Sequence, residues 1–407
     1  MRAFTKLIFD LALVTLCAAS TFATTKYVVD NDDNPTANSA TFYTVGAGGK
    51  LTLKKTVPTG GTGLGGGYFA DARINVSHSK TQPCVYVSNA TSNNVSAINE
   101  ETLKNNGPFA AGSSDSGAAG GISVVSTTNY VYAGFSGATL GAGQGSIATY
   151  KEEAGCKLKY LKSIRAEGLG QGTFGIGQPT GMAITPDGKT MVVGYEDGSI
   201  ESFNISAGVP KPIGKAVNTT GFASGDYAGS VDITQDGKYA IFGDIPTTST
   251  SGAIVEVGEI ATLKNGKTKL YGPIQTGFNS NFVSLSPDES LLYISNNQGG
   301  TITAAAFNKT TGVVSTTQSC MSAVLTGFGT DWFYAGGLTT ENTQTGNGTA
   351  VYVGEFGFPG SEGASSIGQV NVKSSSSGCT LTEAKGSPYA NPTGFVFSVG
   401  SYPPRPF

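Results

Sequence analysis

One phrase recurs down this chain: a tight polar turn followed by an apolar strand. Ile184-Thr185-Pro186-Asp187-Gly188-Lys189 precedes Met191-Val192-Val193, and Ile233-Thr234-Gln235-Asp236-Gly237-Lys238 precedes Ala240-Ile241-Phe242. Leu285-Ser286-Pro287-Asp288 then precedes Leu291-Leu292-Tyr293-Ile294. The copies begin 49 and 52 residues apart. Repeats of about that length, built from short strands and tight turns, are how the blades of a β-propeller are written. A blade cannot bury its faces alone, so the period also demands that the units pack on one another.

Seven units can be marked by a strand that ends in an apolar pair and then a polar or small residue. They are Tyr27-Val28-Val29-Asp30, Tyr86-Val87-Ser88-Asn89, Tyr132-Ala133-Gly134-Phe135 and Val192-Val193-Gly194-Tyr195. The series continues with Ile241-Phe242-Gly243-Asp244, Tyr293-Ile294-Ser295-Asn296 and Tyr352-Val353-Gly354-Glu355. No long stretch has a 3.6-residue apolar period, so helices should be few. The fold expected is all-β, a seven-bladed propeller occupying residues 24–407. Its first unit begins at a second strand, Lys26-Tyr27-Val28-Val29, and lacks an innermost strand. The segment Pro392–Val399 supplies one, so the C-terminal strand should pair into the first blade and close the ring.

Residues 1–23 read as a signal peptide, with Arg2 and Lys6 before an apolar run and Thr21-Phe22-Ala23 at the cleavage position. That run is too short to span a bilayer, so no transmembrane segment is expected. The reading is a secreted chain, extracellular or periplasmic. Cleavage leaves 23 basic and 27 acidic residues, a net charge of −4. Nucleic acid is therefore excluded as an expected partner, since binding it needs a basic face. The four cysteines beyond the leader favour two disulfides. Of the three possible connectivities, Cys84–Cys156 and Cys320–Cys379 are preferred, because each links neighbouring blades. A monomer is expected.

The pattern of Ser/Thr-Pro-Asp-Gly-Lys, apolar strand, Tyr-Val-Ser-Asn and Gly-Thr-Ile resembles the lactonase-like propellers, which include 6-phosphogluconolactonase-like and YVTN-repeat proteins. The resemblance implies the propeller fold across nearly all of the chain after the leader. It also implies His and Arg at the channel-facing start of the first strands. Here those positions read Gln178-Pro179-Thr180, Ala228-Gly229-Ser230, Ser280-Asn281-Phe282 and Asn391-Pro392-Thr393, with no basic residue. The one histidine, His78, falls near a turn, and only Arg73 stands near the start of a first strand. Lactone hydrolysis needs a base for water and a positive or hydrogen-bonding group for the oxyanion. The expectation is therefore a binding scaffold for a small polar molecule, glycan or peptide at the channel mouth. The alternative is a lactone hydrolase with a carboxylate-rich, metal-assisted site, for which Arg73, Asp244 and Glu355 are the catalytic candidates.

The residues ending the second strands form the candidate ligand-binding rim: Asp30, Asn89, Tyr195, Asp244, Asn296 and Glu355, with Trp332 as an exposed aromatic anchor. Asp30, Asp244 and Glu355 are also candidate metal ligands. Hard carboxylate oxygens of this kind suit Ca²⁺, and Asp30 and Glu355 are expected to approach each other because the first and seventh blades are neighbours. Without a cation, clustered carboxylates would have raised pKa values and could act as general bases.

Overall fold

The computed structural model describes residues 27–63, 73–77, 83–111, 121–135, 145–170, 178–219, 227–245, 251–278, 280–296, 300–324, 333–342, 349–357, 365–375, 378–393, 396 and 398–402. The signal-peptide reading, His78 and Trp332 lie outside these residues. Strands fall into seven antiparallel blades. The second strands are Tyr27–Asn31, Cys84–Asn89, Tyr130–Phe135, Thr190–Tyr195, Tyr239–Ile245, Leu291–Asn296 and Thr349–Gly357, in blades 1 to 7. Blades 6 and 7 are additionally joined at their outer strands by one parallel pair, Met321 beside Thr380.

The ring closes through a C-terminal strand as the sequence indicates, but that strand is Ser398–Tyr402, further along the chain than the expected Pro392–Val399. Ser398–Tyr402 is the innermost strand of blade 1 and pairs antiparallel with Tyr27–Asn31, Tyr27 opposite Tyr402 and Asn31 opposite Ser398. The innermost strands of blades 2 to 7 are Ile74–Val76, Gly121–Ser126, Pro179–Ile184, Tyr227–Ile233, Ser280–Leu285 and Phe333–Asn342. Each touches the next, and Phe333–Asn342 and Ile74–Val76 both touch Ser398–Tyr402, so the contacts run full circle.

The repeated phrase has a local explanation. The Asp187 carboxylate accepts the Thr185 hydroxyl at 2.7 Å and the Lys189 N–H at 3.0 Å, while Gly188 turns the chain at φ +67°. Thr234, Asp236 and Lys238 repeat these bonds, and Ser286, Asp288 and Ser290 repeat them again. In the third copy Glu289 takes the glycine's place at φ +60°, where a side chain is disfavoured. Its buried carboxylate accepts the N–H of Gln235 at 2.5 Å, tying the turns of two neighbouring blades together.

Strand alternation fills the spaces between blades. Among the described residues the buried apolar side chains form seven clusters, one for each blade-to-blade interface. Val85 and Val87 pack against blade 1, while Cys84 and Tyr86, on the other face of the same strand, pack against blade 3. Both expected disulfides are present. Cys84–Cys156 links blades 2 and 3 with its Cα atoms 5.8 Å apart, and Cys320–Cys379 links blades 6 and 7 at 4.9 Å. No helix among the described residues is long and apolar enough to cross a membrane.

Candidate functional site

The seven second-strand ends do occupy equivalent places, but not around an open axis. They stand one strand out from the ring of innermost strands, at the interfaces between blades. Residues two apart on a strand share a face. Asp30 therefore lies with Val28, which packs on blade 7, and Asn89 lies with Val87, which packs on blade 1. Tyr195 lies with Val193 toward blade 3, and Asn296 with Ile294 toward blade 5. Glu355 lies with Val351 and Val353 toward blade 6. Each of these residues faces the preceding blade and is fully buried.

This arrangement corrects one expectation. Asp30 and Glu355 do not approach each other, because Asp30 faces into the blade 7–blade 1 interface and Glu355 into the blade 6–blade 7 interface. The sheet of blade 7 stands between them. The idea that adjacency of blades brings their strand ends together neglects strand parity. They cannot then share one cation with Asp244, which lies opposite Ala228 in blade 5 and whose side chain lies outside the described residues. Among the described residues no three acidic, cysteine or histidine side chains are grouped to hold a metal ion.

The densest polar grouping is at blade 1, where the loop after Tyr27–Asn31 folds back over blade 2 and the closing strand. Asn391 donates its amide to Asp30 Oδ2 at 3.0 Å and to Asp32 Oδ1 at 2.7 Å. The Thr41 N–H donates to Asp30 at 3.2 Å, and the Thr41 hydroxyl to Asp32 at 3.1 Å. The Ser39 hydroxyl also donates to Asp32. Burial and then the neighbouring Asp32 carboxylate push Asp30 well above the usual carboxylate range, against the Asn391 and Thr41 bonds that pull it down. Asp30 thus holds a proton under conditions where an ordinary aspartate has lost it.

Beside this pair, Arg73 makes an ion pair with Asp33, both side chains fully buried. The Arg73 backbone N–H donates to the Ser398 hydroxyl at 3.2 Å, and Asn31 donates to the carbonyls of Arg73 at 3.2 Å and Ser88 at 3.1 Å. One polar network thereby joins blade 1, blade 2 and the closing strand. Sequence reasoning named Asp30 and Arg73 but missed Asp33 and Asn391 as their partners. The run Asp30-Asn31-Asp32-Asp33 was the available signal, since four such residues at a strand end need donors from elsewhere.

The other rim residues are similarly engaged. Asn89 accepts the Asn38 amide at 2.9 Å and the Thr59 hydroxyl at 2.6 Å, and donates to Asn94 and Ser96. The Tyr195 hydroxyl donates to Glu201 at 2.8 Å. Burial raises the pKa of both groups, and the Glu201 charge raises that of Tyr195 further. Asn296 donates to Thr301 and Thr303 at 3.0 and 2.9 Å, while its own carbonyl oxygen is buried with no hydrogen bond. Glu355 accepts the Ser366 hydroxyl at 2.6 Å on one oxygen, and its other oxygen is buried and unbonded. Burial pushes Glu355 up to about 7, the Ser366 bond opposing and Glu383 adding to the rise. Among these residues, a pKa near neutrality and an unbonded oxygen make Glu355 the one suited in principle to general acid–base chemistry.

Several solved structures share this architecture. A protein from Bacteroides fragilis NCTC 9343, provisionally described as a 6-phosphogluconolactonase, superposes with a TM-score of 0.60 at 15% identity, covering 94% of this chain and 99% of that one. A functionally unknown protein from Desulfotomaculum acetoxidans DSM 771 gives 0.60 at 15% identity over 92% and 98% of the two chains. A second provisionally described 6-phosphogluconolactonase, from Bacteroides uniformis ATCC 8492, gives 0.51 at 17% identity over 71% and 80%. In fold, this seven-bladed propeller is similar to these structures. No family model and no curated protein matches the sequence. At such identities the likeness concerns the fold alone, and the activity has to be argued from the chain's own residues.

Proposed function

We propose that this protein is an exported β-propeller that acts, as a monomer, as a scaffold binding a small polar molecule, glycan or peptide at the mouth of its channel. The observation that carries the reading is the buried Arg73–Asp33 pair. A phosphorylated or oxyanionic substrate requires fixed positive charge that its own negative charge can answer. The one arginine near the start of a first strand already has a carboxylate against it, deep in the blade 1–blade 2 network. Asp30, Asn89 and Tyr195 likewise spend polar atoms on neighbouring side chains. Their work is to fix the strand ends from which the loops spring, and the ligand is met by those loops, with Trp332 as the stacking aromatic. The two disulfides suit an oxidising extracellular or periplasmic setting.

A second reading is kept for one reason, the unbonded oxygen and near-neutral pKa of Glu355. It makes the protein a lactone hydrolase with Glu355 as base. Assaying a panel of lactones with and without divalent ions, beside binding to neutral glycan and peptide arrays, separates the two. Binding without turnover supports the scaffold. Turnover that disappears in Glu355→Ala, with folding intact, overturns it.

A further inference from the structure

The outer edge of blade 3 carries an unbalanced row of lysines. Its outermost strand, Lys157–Arg165, pairs on one side only, with Ser146–Glu153. Leu158 and Tyr160 point inward to the blade 2–blade 3 cluster, which puts Lys157 and Lys159 on the opposite face. The register then slips between Thr149 and Tyr150, and Leu161 is the extra residue. Beyond the slip Ile164 packs on the blade 3–blade 4 cluster, so Lys162 shares that face too. Lys151, directly opposite Lys159, completes the row. All four lysines are exposed, and together they span ~17 Å of strand at about 3.4 Å per residue.

Two features set this row apart from ordinary surface charge. Lys151 and Lys159 are a like-charged pair directly across the ladder, an arrangement that costs stability. And one carboxylate stands in the row, Glu153 directly opposite Lys157, against four lysines, none of which is in ion-pair contact with a carboxylate among the described residues. Lysines do guard exposed edges against pairing with other chains. That device recurs in this ring, with Lys54 and Lys55 on the outermost strand of blade 1 and Lys269 on that of blade 5, but blade 3 sets three lysines on one such strand with Lys151 beside them. The outer strand of neighbouring blade 4 is reduced to Lys211–Pro212 and Val217–Asn218, so little covers the row from that side.

We propose that this edge binds an acidic polysaccharide, a linear sugar polymer whose carboxylates supply the counter-charge that Glu153 alone leaves short. A row of spaced ammonium groups fits a flexible polymer with spaced charges. The net negative charge of the rest of the molecule disfavours the dense charge of duplex DNA and the broad face of an anionic membrane. This surface is separate from the channel mouth, and the inference does not depend on what binds there.

The test uses the full chain after removal of the leader and polygalacturonate as probe, read by affinity electrophoresis. Wild type is expected to be retarded by polygalacturonate and not by a neutral polysaccharide, with retardation lost as NaCl rises from about 50 to about 500 mM. Lys157→Gln, Lys159→Gln and Lys162→Gln combined should weaken binding about tenfold or more, and Lys211→Gln with Lys215→Gln should leave it within about twofold. Because every substituted lysine is exposed, melting temperatures should stay together, which keeps a folding defect from imitating the result. No retardation of wild type overturns the proposal. So does equal loss in the blade 4 variant, retention in the blade 3 variant, or retention of duplex DNA or anionic vesicles as strong as that of the polyuronate.

Discussion

Glu355→Gln should make the protein more resistant to unfolding in alkaline solution and change it little in acid. The carboxyl is fully buried, keeps one hydrogen bond from Ser366, and has its pKa moved from the ordinary 4.5 to about 7, chiefly by burial. At about 1.4 kcal/mol per pH unit, that rise corresponds to about 3 kcal/mol. Below about pH 4.5 the group is protonated in the folded and unfolded chains alike, so it carries no penalty. As pH climbs, the unfolded chain releases its proton while the folded chain holds on, and stability falls. Above about pH 7 the folded group ionises as well and the loss levels off. Glutamine keeps the shape and an oxygen for Ser366 but cannot ionise. The difference in unfolding free energy, variant minus wild type, should therefore grow by about 3 kcal/mol between about pH 4.5 and about pH 8.5. Denaturant unfolding of both proteins at a series of pH values measures it, and the other buried carboxyls cancel because both proteins carry them. A difference that stays flat across that range would refute the reasoning, because it would mean that the ionised carboxylate is solvated or paired in the folded protein.

Two further outcomes follow from the same geometry. Arg73→Met leaves the Asp33 carboxylate buried without its guanidinium, which should cost about 3–5 kcal/mol in denaturant unfolding, and adding Asp33→Asn should recover part of that loss. A chain ending at Ala390 loses both the Asn391 bridge and the Ser398–Tyr402 strand, so hydrogen exchange should quicken in the inner strands of blades 2 and 7 as well as in blade 1. Faster exchange confined to blade 1 would show that closure is a local matter.

The sequence by itself determined the ring. The 49- and 52-residue spacing, the Asp-Gly turns and the missing first strand at the N-terminal end are local facts, and turn chemistry and strand alternation act over a few residues. Their consequences in space, including the closing strand and both disulfides, followed from counting strands. Only the tertiary structure decided which way the rim residues face and what answers their charges. Asp30 and Glu355 belong to neighbouring blades, yet parity sends each toward its own preceding blade, and a sheet separates them. Arg73 meets Asp33 across 40 residues of sequence, and Asn391 meets Asp30 across 361. The lysine row shows the same limit: Lys151 and Lys159 are unremarkable in the sequence and become a like-charged pair only through the register of two strands. Pairings over such separations are set by how blades stack around a common axis, and no local pattern in the chain records them.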